Sequence, residues 1–128
     1  MRGRCGVIVA HGRLGDGFLS ALERVTGPAD NLWAVSNEGL NGGELERSIR
    51  EVLADRAGGR EAILFSDLHA GSCAQACRRL LAEGAVRALF HGINLPLLIE
   101  FVFLQEQPFD TFVATVVSKG RAALGVHS

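Results

Sequence analysis

The stretch Cys5-Gly6-Val7-Ile8-Val9-Ala10-His11-Gly12 holds the pattern that decides the fold. Its first six residues are mostly apolar and include three β-branched side chains in a row, which predicts a short strand buried on both faces. The glycine at its end indicates a tight turn. Apolar residues then recur at steps of four and three, at Leu14, Phe18, Leu22 and Val25. That spacing predicts a helix with one apolar face.

The same strand-then-helix unit recurs along the chain. Further strands are predicted at 31–36, 61–66 and 86–90, each followed by a helical pattern, and Pro108 opens a last helix. Asn94 is predicted to cap the helix after the fourth strand. Such alternation is typical of an α/β domain with an open, mainly parallel sheet covered by helices on both faces. We expect residues 1–128 to form one domain, with the common strand order 2-1-3-4.

Composition excludes several function classes. The formal net charge is −1 and only 6% of residues are aromatic, so we expect no nucleic-acid partner. No apolar segment is long enough for membrane insertion, and the apolar stretch behind the basic start is too short for a signal peptide. The odd count of three cysteines is typical of a reducing compartment. We therefore expect a cytoplasmic protein.

His11 and Asp67 are the candidate catalytic residues. Each directly follows a predicted strand, and open parallel sheets place their active sites at the carboxyl ends of strands. With strands one and three adjacent, the two side chains would face each other. A neutral imidazole is a good nucleophile near pH 7, and a carboxylate can fix its tautomer by accepting the other N–H. The alternatives are a structural histidine and an ordinary turn aspartate.

Ser72 is a candidate anion-binding residue. It is predicted to be the N-cap of a helix over 73–83, and helix N-termini favour phosphate. Its alternative role is that of an ordinary cap. His69, in the preceding turn, is predicted to contact a phosphate or a partner, or else to lie in a solvent-facing loop.

Metal and nucleotide sites are not predicted. Cys73 and Cys77 lie four residues apart on a helix, and His69 would be a third ligand, but no fourth ligand is evident and the spacing fits no common zinc pattern. The glycines of 12–17 follow a strand, yet their order does not match the dinucleotide motif. We expect no metal and no cofactor, and a small phosphate- or nucleotide-binding enzyme is the weakest alternative.

Three blocks of the sequence carry a family resemblance. They are Val7-Ile8-Val9-Ala10-His11-Gly12, Ser66-Asp67-Leu68-His69-Ala70-Gly71-Ser72 and Gly92-Ile93-Asn94-Leu95-Pro96-Leu97-Leu98-Ile99-Glu100. In order and spacing they resemble the mannose-family IIA domain of the bacterial phosphotransferase system. The family's usual strings are Ser-His-Gly after a strand, Thr-Asp-Leu-Phe-Gly-Gly-Ser-Pro, and Gly-Val-Asn-Leu-Pro-Met-Leu.

This resemblance implies a function and its residues. His11 would accept a phosphoryl group from the histidine-containing phosphocarrier protein and pass it to a IIB domain, for sugar uptake or its regulation. Asp67 would orient the imidazole, and Ser72 with Gly71 would hold the phosphate. His69 and Asn94 are candidate partner contacts. The resemblance also implies a homodimer and the sheet order 2-1-3-4.

The chain departs from the family strings just after Asp67. His69 stands in place of phenylalanine, Ala70 in place of glycine, and Cys73 in place of proline. These departures fall on the predicted docking surface and leave His11 and Asp67 intact. They motivate the alternative that the domain is a regulatory or ligand-binding module that does not turn over phosphate.

Overall fold

The computed structural model describes residues 3–128. Strands and helices alternate along them, and a fifth helix ends the series. In chain order the elements are β1 (Cys5–Ala10), α1 (Leu14–Thr26), β2 (Leu32–Ser36), α2 (Gly42–Arg56), β3 (Ala62–Ser66), α3 (Ser72–Ala82), β4 (Ala88–His91), α4 (Leu95–Leu104) and α5 (Phe109–Ala122).

The four strands form one sheet in the order β2-β1-β3-β4, and every neighbouring pair is parallel. This confirms both the predicted α/β class and the predicted order. In the register, Val9 of β1 lies opposite Ser66 of β3. The chain therefore leaves β1 and β3 at the same edge of the sheet, one residue apart in register.

The sheet is covered on both faces, as its sequence pattern requires. Successive side chains of a strand point to opposite faces, so β1 supplies Val7 and Val9 to one core and Ile8 to the other. The first core packs against α2 and α3, and the second packs against α1, α4 and α5. Because both faces are buried, the strands are almost continuously apolar.

The predicted cap at Asn94 is confirmed. Its side-chain Oδ1 accepts a hydrogen bond from the backbone N–H of Leu97 at 2.9 Å. Its Nδ2 donates to the carbonyl of Gly120 at 2.8 Å, which ties α4 to α5. One side chain thus satisfies a helix terminus and fixes the packing of two helices.

The prediction is wrong at the ends of the apolar face of α1 and at the start of the fourth strand. Leu14 and Val25 do not face the core: they are 45% and 59% exposed, while Leu22 is buried. The fourth strand begins at Ala88, because pairing with β3 begins there. Val86 is buried against the first core without pairing with β3, so its apolar character reflects packing and not strand pairing.

None of the helices within residues 3–128 is long and apolar enough to cross a membrane.

Candidate active site

His11 and Asp67 meet at the carboxyl edge of the sheet. His11 follows the last residue of β1, and Asp67 follows the last residue of β3. The parallel register of these adjacent strands brings the two residues together. The His11 side chain is 43% exposed, whereas that of Asp67 is 8% exposed. The imidazole is therefore open to a partner, while the carboxylate lies beneath it.

The carboxylate of Asp67 holds the ring of His11 from one side. Its Oδ2 lies 2.8 Å from Nδ1 of His11 and accepts the backbone N–H of His11 at 3.0 Å. Its Oδ1 accepts the N–H of Leu68 at 3.0 Å. An ionised carboxylate can only accept, so the ring proton belongs on Nδ1. This arrangement leaves the lone pair of Nε2 free for nucleophilic attack.

The pKa of Asp67 lies below its ordinary value, which keeps the carboxylate ionised. Burial acts in the opposite direction and would by itself raise the pKa. It is outweighed by the hydrogen bonds from the His11 backbone and side chain, by the charge of His11 and by the N–H of Leu68. The acceptor that fixes the histidine tautomer is therefore charged at neutral pH.

Asn37 joins the site from β2, and the sequence analysis missed it. Its Oδ1 accepts the backbone N–H of Gly12 at 3.3 Å, and its Nδ2 donates to Oγ of Ser72 at 3.3 Å. The residue bridges the turn that carries the histidine and the start of α3. Its position in the sequence could have indicated this role, because Asn37 directly follows β2, which ends at the same edge of the sheet as β1 and β3.

The start of α3 differs from the prediction at Ser72. The N-cap is Gly71, and no side chain caps this helix; Ser72 is its first residue. Gly71 has a φ of +102°, a conformation that L-residues rarely adopt, and so glycine makes this entry into the helix feasible. The first N–H groups of any helix lack partners within it. Ser72 and these N–H groups lie at the start of the helix whose Cys73 Sγ is 3.8 Å from Nδ1 of His11.

The other predicted contact residues lie around this edge. The ring of His69 meets that of His91, the last residue of β4, edge-to-face with centroids 5.1 Å apart. Arg78 donates to the carbonyl of His69 and so holds the loop. The Asn94 side chain is engaged within the fold, as described above, so a partner contact by Asn94 stays a prediction.

The cysteines of α3 are buried free thiols. The Sγ of Cys73 lies 3.8 Å from Nδ1 of His11. Burial, then the charge of Asp67, raise the pKa of Cys73 to about 11, although a hydrogen bond with Ser72 acts the other way. Burial is also the main cause that raises the pKa of Cys77 to about 12. Both thiols are therefore protonated at neutral pH.

Within residues 3–128, a single group of three potential metal ligands comes together: His11, Asp67 and Cys73. This group differs from the set considered from the sequence, in which His69 joins Cys73 and Cys77.

The glycines of 12–17 form no open phosphate loop, since Gly15 and Gly17 lie within α1. Gly15 is buried, and a Cβ there would sit 3.0 Å from the Ala34 side chain. The missing side chain of Gly15 therefore allows α1 to pack closely on the sheet.

The chain is thus a small α/β domain with a parallel sheet. A histidine–carboxylate pair lies at the carboxyl edge of that sheet, and its imidazole is placed as a candidate nucleophile. The family model described as "PTS system fructose IIA component", EIIA-man, matches residues 6–117. The chain therefore belongs to this family, the mannose-type IIA components of the phosphotransferase system, which confirms the resemblance seen in its sequence. No curated protein matches the chain significantly.

Solved structures share this fold. The phosphotransferase system component EIIA from Streptococcus agalactiae superposes with a TM-score of 0.85 at 23% identity, covering 96% of both chains. The IIA protein associated with the fucose utilization operon of Streptococcus pneumoniae gives 0.83 at 22% identity, covering 97% of this chain and 93% of its own. The mannose/sorbose specific IIA subunit from Enterococcus faecalis gives 0.83 at 16% identity, covering 99% and 96%. At such identities the likeness extends to the fold alone.

Proposed function

We propose that this chain is a phosphoryl carrier that works through a phosphohistidine at His11. It would accept the phosphoryl group from the histidine-containing phosphocarrier protein and pass it to a IIB domain. The observation that carries the proposal is the 2.8 Å contact between Nδ1 of His11 and Oδ2 of Asp67, in a chain of the IIA family. That contact presents an exposed imidazole whose second nitrogen is free to react.

The geometry of the pair supports this transfer. The Nε2 lone pair attacks phosphorus as the bond from phosphorus to the donor's histidine nitrogen breaks, so one N–P bond replaces another. The ring of His11 keeps its proton on Nδ1 and becomes cationic. The ionised Asp67 then stabilises that charge through the hydrogen bond it already accepts. Passing the phosphoryl group to a IIB domain reverses the same steps.

The start of α3 is suited to hold the phosphoryl oxygens. The first N–H groups of a helix lack partners within it, and the positive end of the helix dipole favours negative charge, so these groups would bind the phosphoryl oxygens. Ser72 adds a hydroxyl, and Asn37 holds that hydroxyl at 3.3 Å. Gly71 has no side chain and leaves the approach open. These residues are therefore proposed to bind phosphate, whereas His11 and Asp67 are proposed to carry the chemistry.

Phosphorylation is tested with enzyme I, the phosphocarrier protein and labelled phosphoenolpyruvate. The wild type should acquire an acid-labile, alkali-stable label that is absent from His11→Ala. His91→Ala is the matched control, because His91 is an exposed histidine at the same edge of the sheet, and it should be labelled like the wild type. Absence of label on the wild type with competent donors would refute the carrier proposal and favour the regulatory alternative.

Partner docking is proposed to use the surface around His11. His69 is exposed there and replaces the phenylalanine of the family strings, so it should influence which IIB domain is accepted. His69→Phe tests this: the variant should transfer phosphate faster to conventional mannose-type IIB domains, while its own phosphorylation is unchanged. Equal transfer rates for the wild type and the variant would exclude His69 from partner choice.

Assembly and location complete the proposal. We infer from the family that the chain forms a homodimer, acts in the cytoplasm and needs no cofactor for transfer. Sedimentation equilibrium of the full chain tests the dimer, and a concentration-independent monomer mass would refute it.

A further inference from the structure

A thiol lies beside the histidine–carboxylate pair, and the proposed transfer does not use it. Cys73 is fully buried, and its Sγ is 3.8 Å from Nδ1 of His11. With Oδ2 of Asp67, the three side chains offer one nitrogen, one oxygen and one sulfur atom, all within 4.8 Å of one another. These are the donor types that bind zinc in proteins.

We propose that His11, Asp67 and Cys73 form a site for a zinc-type divalent cation, and that occupancy of this site blocks phosphorylation of His11. The proposal rests on the phosphocarrier function and adds a regulation to it. The family strings have proline at the position of Cys73, so the thiol ligand comes from a residue in which this chain departs from them.

The distances fit a tetrahedral ion after small movements. Zinc bonds of about 2.0–2.1 Å to nitrogen and oxygen and about 2.3 Å to sulfur require these ligand atoms to lie roughly 3.3–3.6 Å apart. The His11–Asp67 separation of 2.8 Å must therefore open, and the His11–Cys73 separation of 3.8 Å must close slightly. The half-exposed imidazole can make that adjustment by rotating, and solvent reaches the ring to supply a fourth ligand.

Charge balance also favours the site. The positive end of the α3 dipole disfavours a cation, but Asp67 and the Cys73 thiolate bring two negative charges to it. A thiol must lose its proton to bind a metal, so each ion bound releases one proton from Cys73. Asp67 is already ionised and adds no further proton release near neutral pH.

The blocking effect follows from the histidine tautomer. In the metal-free site Nδ1 carries the ring proton and donates it to Asp67, which leaves Nε2 free to attack phosphorus. A metal bound at Nδ1 takes that nitrogen's lone pair, so the proton of the neutral ring must move to Nε2. A protonated Nε2 has no lone pair for the phosphoryl group. Metal binding and phosphorylation therefore exclude each other.

The site is tested first without any phosphoryl donor. Full-length wild type, Cys73→Ala and Cys77→Ala are titrated with Co²⁺ for a thiolate charge-transfer band and with Zn²⁺ against a chelating dye. Cys77 is the matched control, because it is an equally buried thiol one turn along α3. The wild type and Cys77→Ala should show the band. Cys73→Ala should lose it and bind zinc more than about 100-fold more weakly, since even partners beyond the direct ligands are worth about 10–100-fold.

The tautomer and the block are measured next. Long-range ¹H–¹⁵N spectra should place the His11 proton on Nδ1 in chelator and on Nε2 with one equivalent of zinc. Zinc-loaded wild type, freed of excess metal, should accept label far more slowly than in chelator, and Cys73→Ala should show no such difference. Each rate is compared with that variant's own rate in chelator.

Several results would overturn the proposal. A cobalt spectrum of the wild type without a thiolate band would do so, as would equal zinc affinity in the wild type and Cys73→Ala. Unchanged labelling of zinc-loaded wild type would exclude the regulation. Failure of the carrier function is distinguishable from failure of the metal site. It would appear as absent labelling of the wild type in chelator, and the metal titration would still show whether the site binds zinc.

Discussion

Asp67→Asn removes a charge from the site while nearly preserving its shape. Asp67 accepts three hydrogen bonds, from Nδ1 and the backbone N–H of His11 and from the N–H of Leu68. Asparagine has one acceptor oxygen, so it cannot serve both residues. It also brings no negative charge to face the cationic ring of a phosphohistidine. We therefore expect slower phosphorylation of His11.

The magnitude follows from the hydrogen bonds that change. A bond to a charged group contributes about 1.5–3 kcal/mol to stability, and a neutral bond contributes about 0.5–1.5 kcal/mol. The His11 side chain is 43% exposed, so solvent screening reduces the advantage of the charge. Loss of about 1–2 kcal/mol of transition-state stabilisation corresponds to phosphorylation that is roughly 5- to 30-fold slower.

The assay is a single-turnover measurement with excess phosphorylated phosphocarrier protein and rapid quench, in chelator. Asp55→Asn serves as the control, because it makes the same change on an exposed part of α2, and it should match the wild type. An Asp67→Asn rate equal to that of the wild type would refute the orienting and charge-stabilising role of Asp67. An equal slowing in Asp55→Asn would show that net charge, and not the contact with His11, sets the rate.

Three further predictions concern stability. Gly6→Ala should lower the free energy of unfolding by about 1–3 kcal/mol in urea titrations, because its Cβ would lie 2.6 Å from the ring of Phe65. Gly17→Ala is the control: it has open space around it and should be neutral or slightly stabilising. Equal effects of the two substitutions would contradict this prediction. Asn94→Ala should cost about 1–2 kcal/mol through the lost cap, seen as a lower Tm, and an unchanged Tm would show that the cap contributes nothing. The folded-state pKa of Asp67 is depressed, so its ionised form stabilises the folded protein. This contribution to the free energy of unfolding should be complete above the unfolded-state pKa of about 3.9 and should fade as pH falls through the folded-state pKa. A stability difference between the wild type and Asp67→Asn that grows towards acid pH would contradict that sign.

Local pattern was sufficient for the series of elements and for bringing together the central pair of the candidate site. Buried parallel strands must be apolar on both faces, so β1 and β3 are visible as short continuous runs. Helix termini need partners for their free N–H groups, so Asn94 is recognisable as a cap. Placing His11 and Asp67 at one edge required only that they follow strands of a parallel sheet, since such strands end together.

The errors arose where burial depends on neighbours in space. Leu14 and Val25 have the helical spacing of a core face, yet both remain exposed and lie outside the second core. Ser72 has the residue type of a cap, but the backbone enters α3 through the positive φ of Gly71. Sequence spacing describes one element at a time and contains no information about the extent of the surface packed against it.

The sequence by itself therefore determined the order of elements, the fold class and the pair His11 and Asp67, because each depends on local propensity or on strand ends. Tertiary structure alone decided what surrounds that pair. Asn37 reaches it from β2 and Cys73 reaches it from α3, at distances set by how separate elements pack on the sheet. Contacts between residues far apart in sequence depend on that packing, which is why they appear only once the chain is folded.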